Sequence, residues 1–189
     1  KNTVAVHCRL VNHRPDTTQY AARGQELPAV YTNAPYHNLV TYRGDKPFTH
    51  DTTSTILNHN FPQDPTIQWA LPWLATENWA AHVNDDGYGL GVWNPDCYRF
   101  SGGFAGKPGK GGARDAHPGS LEPTRQEILD HDIQHEYQYT LIVGDLKSIR
   151  DYVYQHAQRP APPNYRFKND RQGWYYIHAS DTGWPINGA

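Results

Sequence analysis

At 189 residues the chain is long enough to bury a core without a metal or a disulfide framework. With 17 Lys and Arg against 19 Asp and Glu it is close to neutral, which disfavours general binding of nucleic acid. No apolar run approaches the ~18 residues that a membrane-spanning helix needs, so no membrane span is expected.

Aromatic residues are frequent (13 Tyr, 6 Trp, 5 Phe), and 16 Gly and 15 Pro describe short strands joined by many turns. The chain has no Met. A processed or truncated part of a longer protein is therefore the expectation, folded as one β-sandwich domain over residues 1–189.

In chain order, "VAVHCRLVN" (4–12) sets Val4, Val6, Cys8 and Leu10 on one face of a half-buried strand. "ELPAVYT" (26–32) and "NLVTYRGD" (38–45) read as two further short strands. Residues 46–66 are rich in Thr, Asn, Asp and Pro and read as a long irregular excursion, a type that is usually functional or disordered. "NWAAHVNDDGYGLGVWNP" (78–95) is a hairpin closed by "NDDG".

"LEPTRQEILDH" (121–131) reads as a short helical turn or a bridge. "IQHEYQYTLIVGD" (133–145) is a long alternating strand, and "LKSIRDYVYQHA" (146–157) is the one clear helix, capped by Asp145 and ended by "RPAPP". The fold class that follows is all-β: an antiparallel sandwich with one helix near 145–157.

The stretch "GGFAGKPGKGG" (102–112) invites a phosphate-binding reading. A P-loop needs Ser or Thr after its Gly-Lys and a helix behind it. Here Gly111 follows Lys110 and the downstream "GGARDAHPGS" is rich in helix breakers, so no nucleotide is expected. Lys107, Lys110 and Arg114 remain candidate contacts for an acidic sugar. His131 and His135 lie four apart, but in a strand that separates them by roughly 13 Å, too far to share a metal. No cofactor and no metal are expected. Cys8 and Cys97 are compatible with a disulfide or with two buried thiols, with a slight lean to the disulfide.

Two carboxylates stand at the edges of apolar segments, Glu26 in "RGQELPAVY" and Glu77 in "LATENWAAH". Desolvation there raises a carboxyl pKa unless a cation offsets it. Glu26 and Glu77 are the acid–base candidates, with Arg23 to orient them and His82 and His37 nearby in sequence terms. A pair of glycosidase carboxylates must face one cleft. The alternative is that both glutamates are structural. Trp79 and Trp184 are candidate stacking platforms for a sugar ring, although Trp and Tyr are also ordinary core residues.

Taken together, "TENWAAHVNDDGYGLGVWNP", "QELPAVYTN", "CRLVNHR" and "YTLIVGDLKSIRDYVY" resemble segments of secreted bacterial carbohydrate-processing proteins with a β-supersandwich related to galactose mutarotase. The resemblance implies the fold and a saccharide partner. A mutarotase would also need its His pair and Glu base; His13 fits the first position, and no partner for it can be assigned. The expectation is an extracellular or cell-envelope protein that acts on a polysaccharide by hydrolysis or elimination. The alternative is a non-catalytic glycan-binding or assembly module.

Overall fold

A computed structural model describes residues 2–56, 67–105, 119–130 and 132–158, with backbone only for 67–71. Among the described residues eleven strands and one helix follow one another: β1 (Thr3–Asn12), β2 (Arg23–Glu26), β3 (Val30–Thr32), β4 (Asn38–Thr41), β5 (Ser54–Thr55), β6 (Ile67–Leu74), β7 (Trp79–Val83), β8 (Tyr88–Trp93), β9 (Arg99–Ala105), β10 (Gly119–Glu127), β11 (Ile133–Asp145) and α1 (Leu146–His156). They build an all-β sandwich of two antiparallel sheets. One has the order β1-β11-β8-β7-β4-β5; the other runs β2-β10-β9-β6, with β3 also paired to β10. The sandwich lies within the first of two units into which the chain divides, Lys1–Ala157 and Gln158–Ala189.

Alternation in β7 explains the layering. Ala80 packs between the sheets with Leu39, Trp73, Val92, Phe100 and Leu121. Trp79, Ala81 and Val83 point the other way, onto Ile149 and Val153 of α1. Both faces of β7 are therefore covered, which is why all five of its residues are buried. Gly91 of β8 lies under the helix, where a Cβ would run into Ile149. The helix starts where Asp145 accepts the Ser148 N–H at 2.6 Å, as its sequence position implies.

The "NDDG" hairpin forms between β7 and β8. Gly87 takes φ 76° and donates to Asn84 O at 3.0 Å, and the Asn84 side chain accepts from the N–H groups of Asp86 and Tyr88.

Residues 121–127 are strand, where a helical turn or bridge was expected. Pro123 obscures this in the sequence, because proline suits only special places in a sheet. Here it sits where β10 changes partner from β3 to β2. Its carbonyl accepts from Leu27 N at 2.7 Å, and its missing N–H faces that same gap.

Candidate functional site

Asn78, at φ 60°, closes a tight turn by donating to Ala75 O at 2.9 Å, and this sets Glu77 beneath the helix. Glu77 is 0% exposed. Its Oε1 accepts from Phe48 N at 2.9 Å, Arg150 Nη2 at 2.8 Å and Tyr154 Oη at 2.6 Å. Its Oε2 accepts from Trp79 Nε1 at 2.9 Å and Arg150 Nε at 2.8 Å. Burial alone would raise this carboxyl, but the donors led by Arg150 and Tyr154 outweigh it and hold Glu77 below its ordinary value. The same contact works in reverse on Tyr154, whose hydroxyl is pushed up to about 12 by burial and by Glu77. Glu77 is an ionised carboxylate saturated with hydrogen bonds, which suits it to hold structure and leaves no oxygen open to a substrate proton.

What it holds is the loop between β4 and β5. Phe48 and His50 both have positive φ, 62° and 59°, a conformation that non-glycine residues adopt only when their surroundings enforce it. The Phe48 N–H is fixed by Glu77, the His50 N–H by Tyr154 Oη at 3.1 Å, and the Asp51 carbonyl by Arg150 Nη1. The rings of Phe48 and His50 both pack on Tyr154, with centroids 5.4 and 4.6 Å away.

Fixed in this way, the Asp51 side chain accepts from Thr52 N at 2.8 Å and from Tyr42 Oη at 3.2 Å. These bonds, with help from Lys46 and Arg150, lower its pKa and keep it charged. A cavity of about 560 Å³ opens here, lined by Tyr42, Arg43, Gly44, Asp51, Thr52, Ser54, Trp73 and Leu74. It lies where β5 and β6, each the last strand of its sheet, come together. Trp73 is 7% exposed and stacks on Phe100 at 6.3 Å, yet its indole N–H is buried with no acceptor among the described residues. A buried donor left unpaired costs roughly 1–3 kcal/mol.

The residues singled out in the sequence are scattered. Glu26, at the end of β2, lines a different cavity of about 210 Å³ with Pro72, Arg99, Ser101 and Thr124. Burial raises its pKa, and the nearby Glu122 raises it further. Glu26 and Glu77 therefore do not share a cavity among the described residues.

Arg23 lies three residues before Glu26 in the same strand, so it points to the opposite face and cannot orient it. It lines a cavity with Arg14 and Glu127, its guanidinium 5.9 Å from the Tyr20 ring. Trp79 is 0% exposed and packs under α1 as a core residue, where it offers no ring to a sugar.

His82 is likewise 0% exposed, with Nδ1 3.0 Å from Tyr36 O and Nε2 3.0 Å from Ser120 O, so it ties the two sheets together and meets no solvent. His37 stands beside it with Nε2 3.1 Å from Asp85 and its ring edge-on to Phe104. His13 is on the surface, 2.8 Å from Asp132. Cys8 and Cys97 are free thiols, against the slight lean to a disulfide, and burial pushes the Cys97 thiol up to about 11. No group of three or more metal-ligating side chains exists among the described residues. Lys107, Lys110, Arg114, His131 and Trp184 lie outside the described residues, as does the glycine-rich stretch from 106 onward.

Sequence reasoning found the loop but not its residues. The excursion beginning at residue 46 had the composition of a functional segment, whereas nothing local distinguishes Asp51 or Arg43 from other loop charges. Arg150 and Tyr154 did carry a signal: they sit at i and i+4, on one helix face. Glu122 was hidden in the segment read as a turn. No known family model matches the chain, and no curated protein matches it by sequence.

Proposed function

We propose that this protein binds carbohydrate, and that the cavity between the β4–β5 loop and β6 is its saccharide pocket. One observation carries the reading: the largest of the cavities described above joins a guanidinium (Arg43), the hydroxyls of Tyr42 and Ser54 and the edge of Trp73 of β6 to a charged carboxylate (Asp51) on a loop held rigid from behind. Sugars need that mixture, because each hydroxyl both donates and accepts, while the ring's C–H faces favour apolar aromatic surface. A loop fixed before the ligand arrives loses little conformational entropy on binding.

The test is a glycan array with the purified chain, followed by product analysis on every hit. Binding abolished by Asp51→Asn, in a variant with unchanged melting, supports the reading. No binding to any saccharide ends it.

Hydrolysis is the second reading, and it belongs to the other sheet. Glu26 pairs with Thr124, and Glu122 lies two residues from Thr124 on the same face. Such diagonal neighbours have backbones ~7–8 Å apart, which lets two carboxyls on that face approach one substrate. Glu122 accepts from Ser101 Oγ at 2.8 Å and from Ser120 Oγ, while Glu26 is the carboxyl whose pKa is raised. Glu26, with its raised pKa, and the hydrogen-bonded Glu122 are the acid and base candidates for inversion. Product formation lost in both Glu26→Gln and Glu122→Gln, with Asp51 intact, would select this reading.

A further inference from the structure

We infer that β1 is the seam of a symmetric dimer, in which a second copy of this chain pairs its own β1 antiparallel to the first. The inference is independent of the saccharide reading. β1 is the outer strand of its sheet and pairs with β11 alone among the described residues. Asn2 O accepts from Val143 N at 2.8 Å, which fixes the sense of the ladder. Along an antiparallel strand, successive residues turn both backbone groups to alternate sides. The even-numbered residues of β1 therefore face β11, and the N–H and C=O of Thr3, Ala5, His7, Arg9 and Val11 face outward. None of these outward groups has a hydrogen-bond partner among the described residues.

Natural sheets shield such edges by shortness, proline, lysine or a bulge. The other edges of this sandwich do so. β5 has two residues, β2 and β3 have four and three, and β6 carries Pro72 and a register shift between Ala70 and Trp73. β1 has ten residues, "TVAVHCRLVN", with no Pro, Lys or Gly, and keeps one register with β11 throughout. It also shows apolar side chains to water: Val4 is 58% exposed, Leu10 45% and Val11 46%.

The occupant is a second copy because the free edge is self-complementary. A two-fold axis through His7, perpendicular to the sheet, pairs Thr3 of one copy with Val11 of the other, Ala5 with Arg9, and His7 with its own mate. That register uses every outward group. It also sets Val4 against Leu10 and Val6 against Cys8, apolar pairs of the kind that stabilise sheets. Charge does not oppose it. Arg9 is the one full positive charge in β1, and its Nε lies 3.5 Å from Glu136 of β11; His7 Nε2 lies 3.3 Å from the same carboxylate.

The experiment is sedimentation of the whole chain across a concentration series, with amide hydrogen exchange at both ends of the series. A dimer that dissociates on dilution is expected. The amides of Ala5, His7, Arg9 and Val11 should be protected only in the dimer, whereas those of Val4, Val6, Cys8 and Leu10 face β11 and stay protected throughout. Ala5→Pro removes one outward N–H per copy and no bond to β11, so it should melt like the wild type when both are dilute. It should weaken the dimer at least about tenfold, since two hydrogen bonds are lost at the seam.

Val6→Cys gives a check that does not depend on the proline. Opposed residues without mutual backbone bonds have Cα atoms ~4.5 Å apart, within disulfide reach. On oxidation the new thiol should cross-link to Cys8 of the second copy, and the wild type should form no such link. A chain that stays monomeric to about 100 μM overturns the inference. So does a dimer whose alternate amides gain no protection, one that Ala5→Pro leaves at full strength, or one in which Val6→Cys forms no cross-link, because the seam would then lie elsewhere. A monomer that takes up an extended peptide along β1 overturns it too, since the edge would then serve a foreign strand.

Discussion

Arg150 of α1 grips Glu77, 73 residues away in the chain, through two parallel hydrogen bonds of 2.8 Å each. The pair is largely shielded from water: Glu77 is 0% exposed and the Arg150 side chain 11%. It joins the helix to the turn before β7 and to the β4–β5 loop. The candidate pocket depends on it although neither residue lines the cavity.

Breaking that pair should unfold the loop before it touches any ligand. Glu77→Ala leaves a buried guanidinium without its partner, which typically costs 3–5 kcal/mol, here taken as ~4 kcal/mol. Urea denaturation measures the loss. Hydrogen exchange adds a local readout, because the amides of Phe48 and His50 are held by Glu77 and Tyr154. The His50 amide should lose protection in Tyr154→Phe, where the fold otherwise stands, while the Phe48 amide keeps its acceptor on Glu77.

Acid should weaken the fold in two steps. The His82 pKa is lowered from 6.5, first by burial; its contacts with the Ser120 and Tyr36 carbonyls oppose this, and His37 adds a smaller lowering. A neutral ring donates only one N–H, so one of those carbonyls receives no proton from it. The unfolded chain binds a proton more readily than buried His82 does, so stability falls as pH drops below about 6.5 and levels off below the folded value. Glu77 acts lower down. Its folded pKa is depressed below 4.5, so its contribution is complete above 4.5 and is lost as pH falls through the folded value. Urea midpoints from pH 8 to pH 3 should show both declines, and only the first should vanish in His82→Gln.

Asp51→Asn should separate binding from stability. The amide keeps the shape of the side chain and can still accept from Thr52 N, so melting should change by less than ~1 kcal/mol. Saccharide affinity should drop about tenfold or more, as expected when a charged acceptor is lost. Equal losses of stability and binding would instead place Asp51 in the scaffold.

The two thiols should behave as separate groups. Intact mass without reductant should equal the mass of two free cysteines. Cys97 is buried and its thiol is pushed up to about 11, so alkylation at pH 8 should reach it only after denaturation. A mass two units low, removed by reductant, would show that the thiols pair in solution.

The local pattern of the chain was enough to specify β1, β3, β4, β7, β8 and β11, the hairpin at 84–87 and the helix with its Asp145 cap. Alternation, Asp-Gly turns and 3.6-residue periodicity are short-range signals, and each is readable within a window of a few residues. The strands β2, β5, β6 and β9 went unread, as did β10, where Pro123 lies at a change of strand partner and a partner change belongs to the sheet.

Partnership across the chain was decided by the tertiary structure alone. "LATENWAAH" announces a glutamate beside apolar residues, and that description fits a catalytic acid as well as a structural anchor. The choice is made by Arg150 and Tyr154, 73 and 77 residues further on. Trp79 reads as a sugar platform until α1 covers it, and Arg23 reads as a partner of Glu26 until the pleat sends the two to opposite faces. A side chain's chemistry is written in the sequence, but its exposure, protonation and neighbours come from long-range packing, because electrostatics and desolvation act through space and not along the chain.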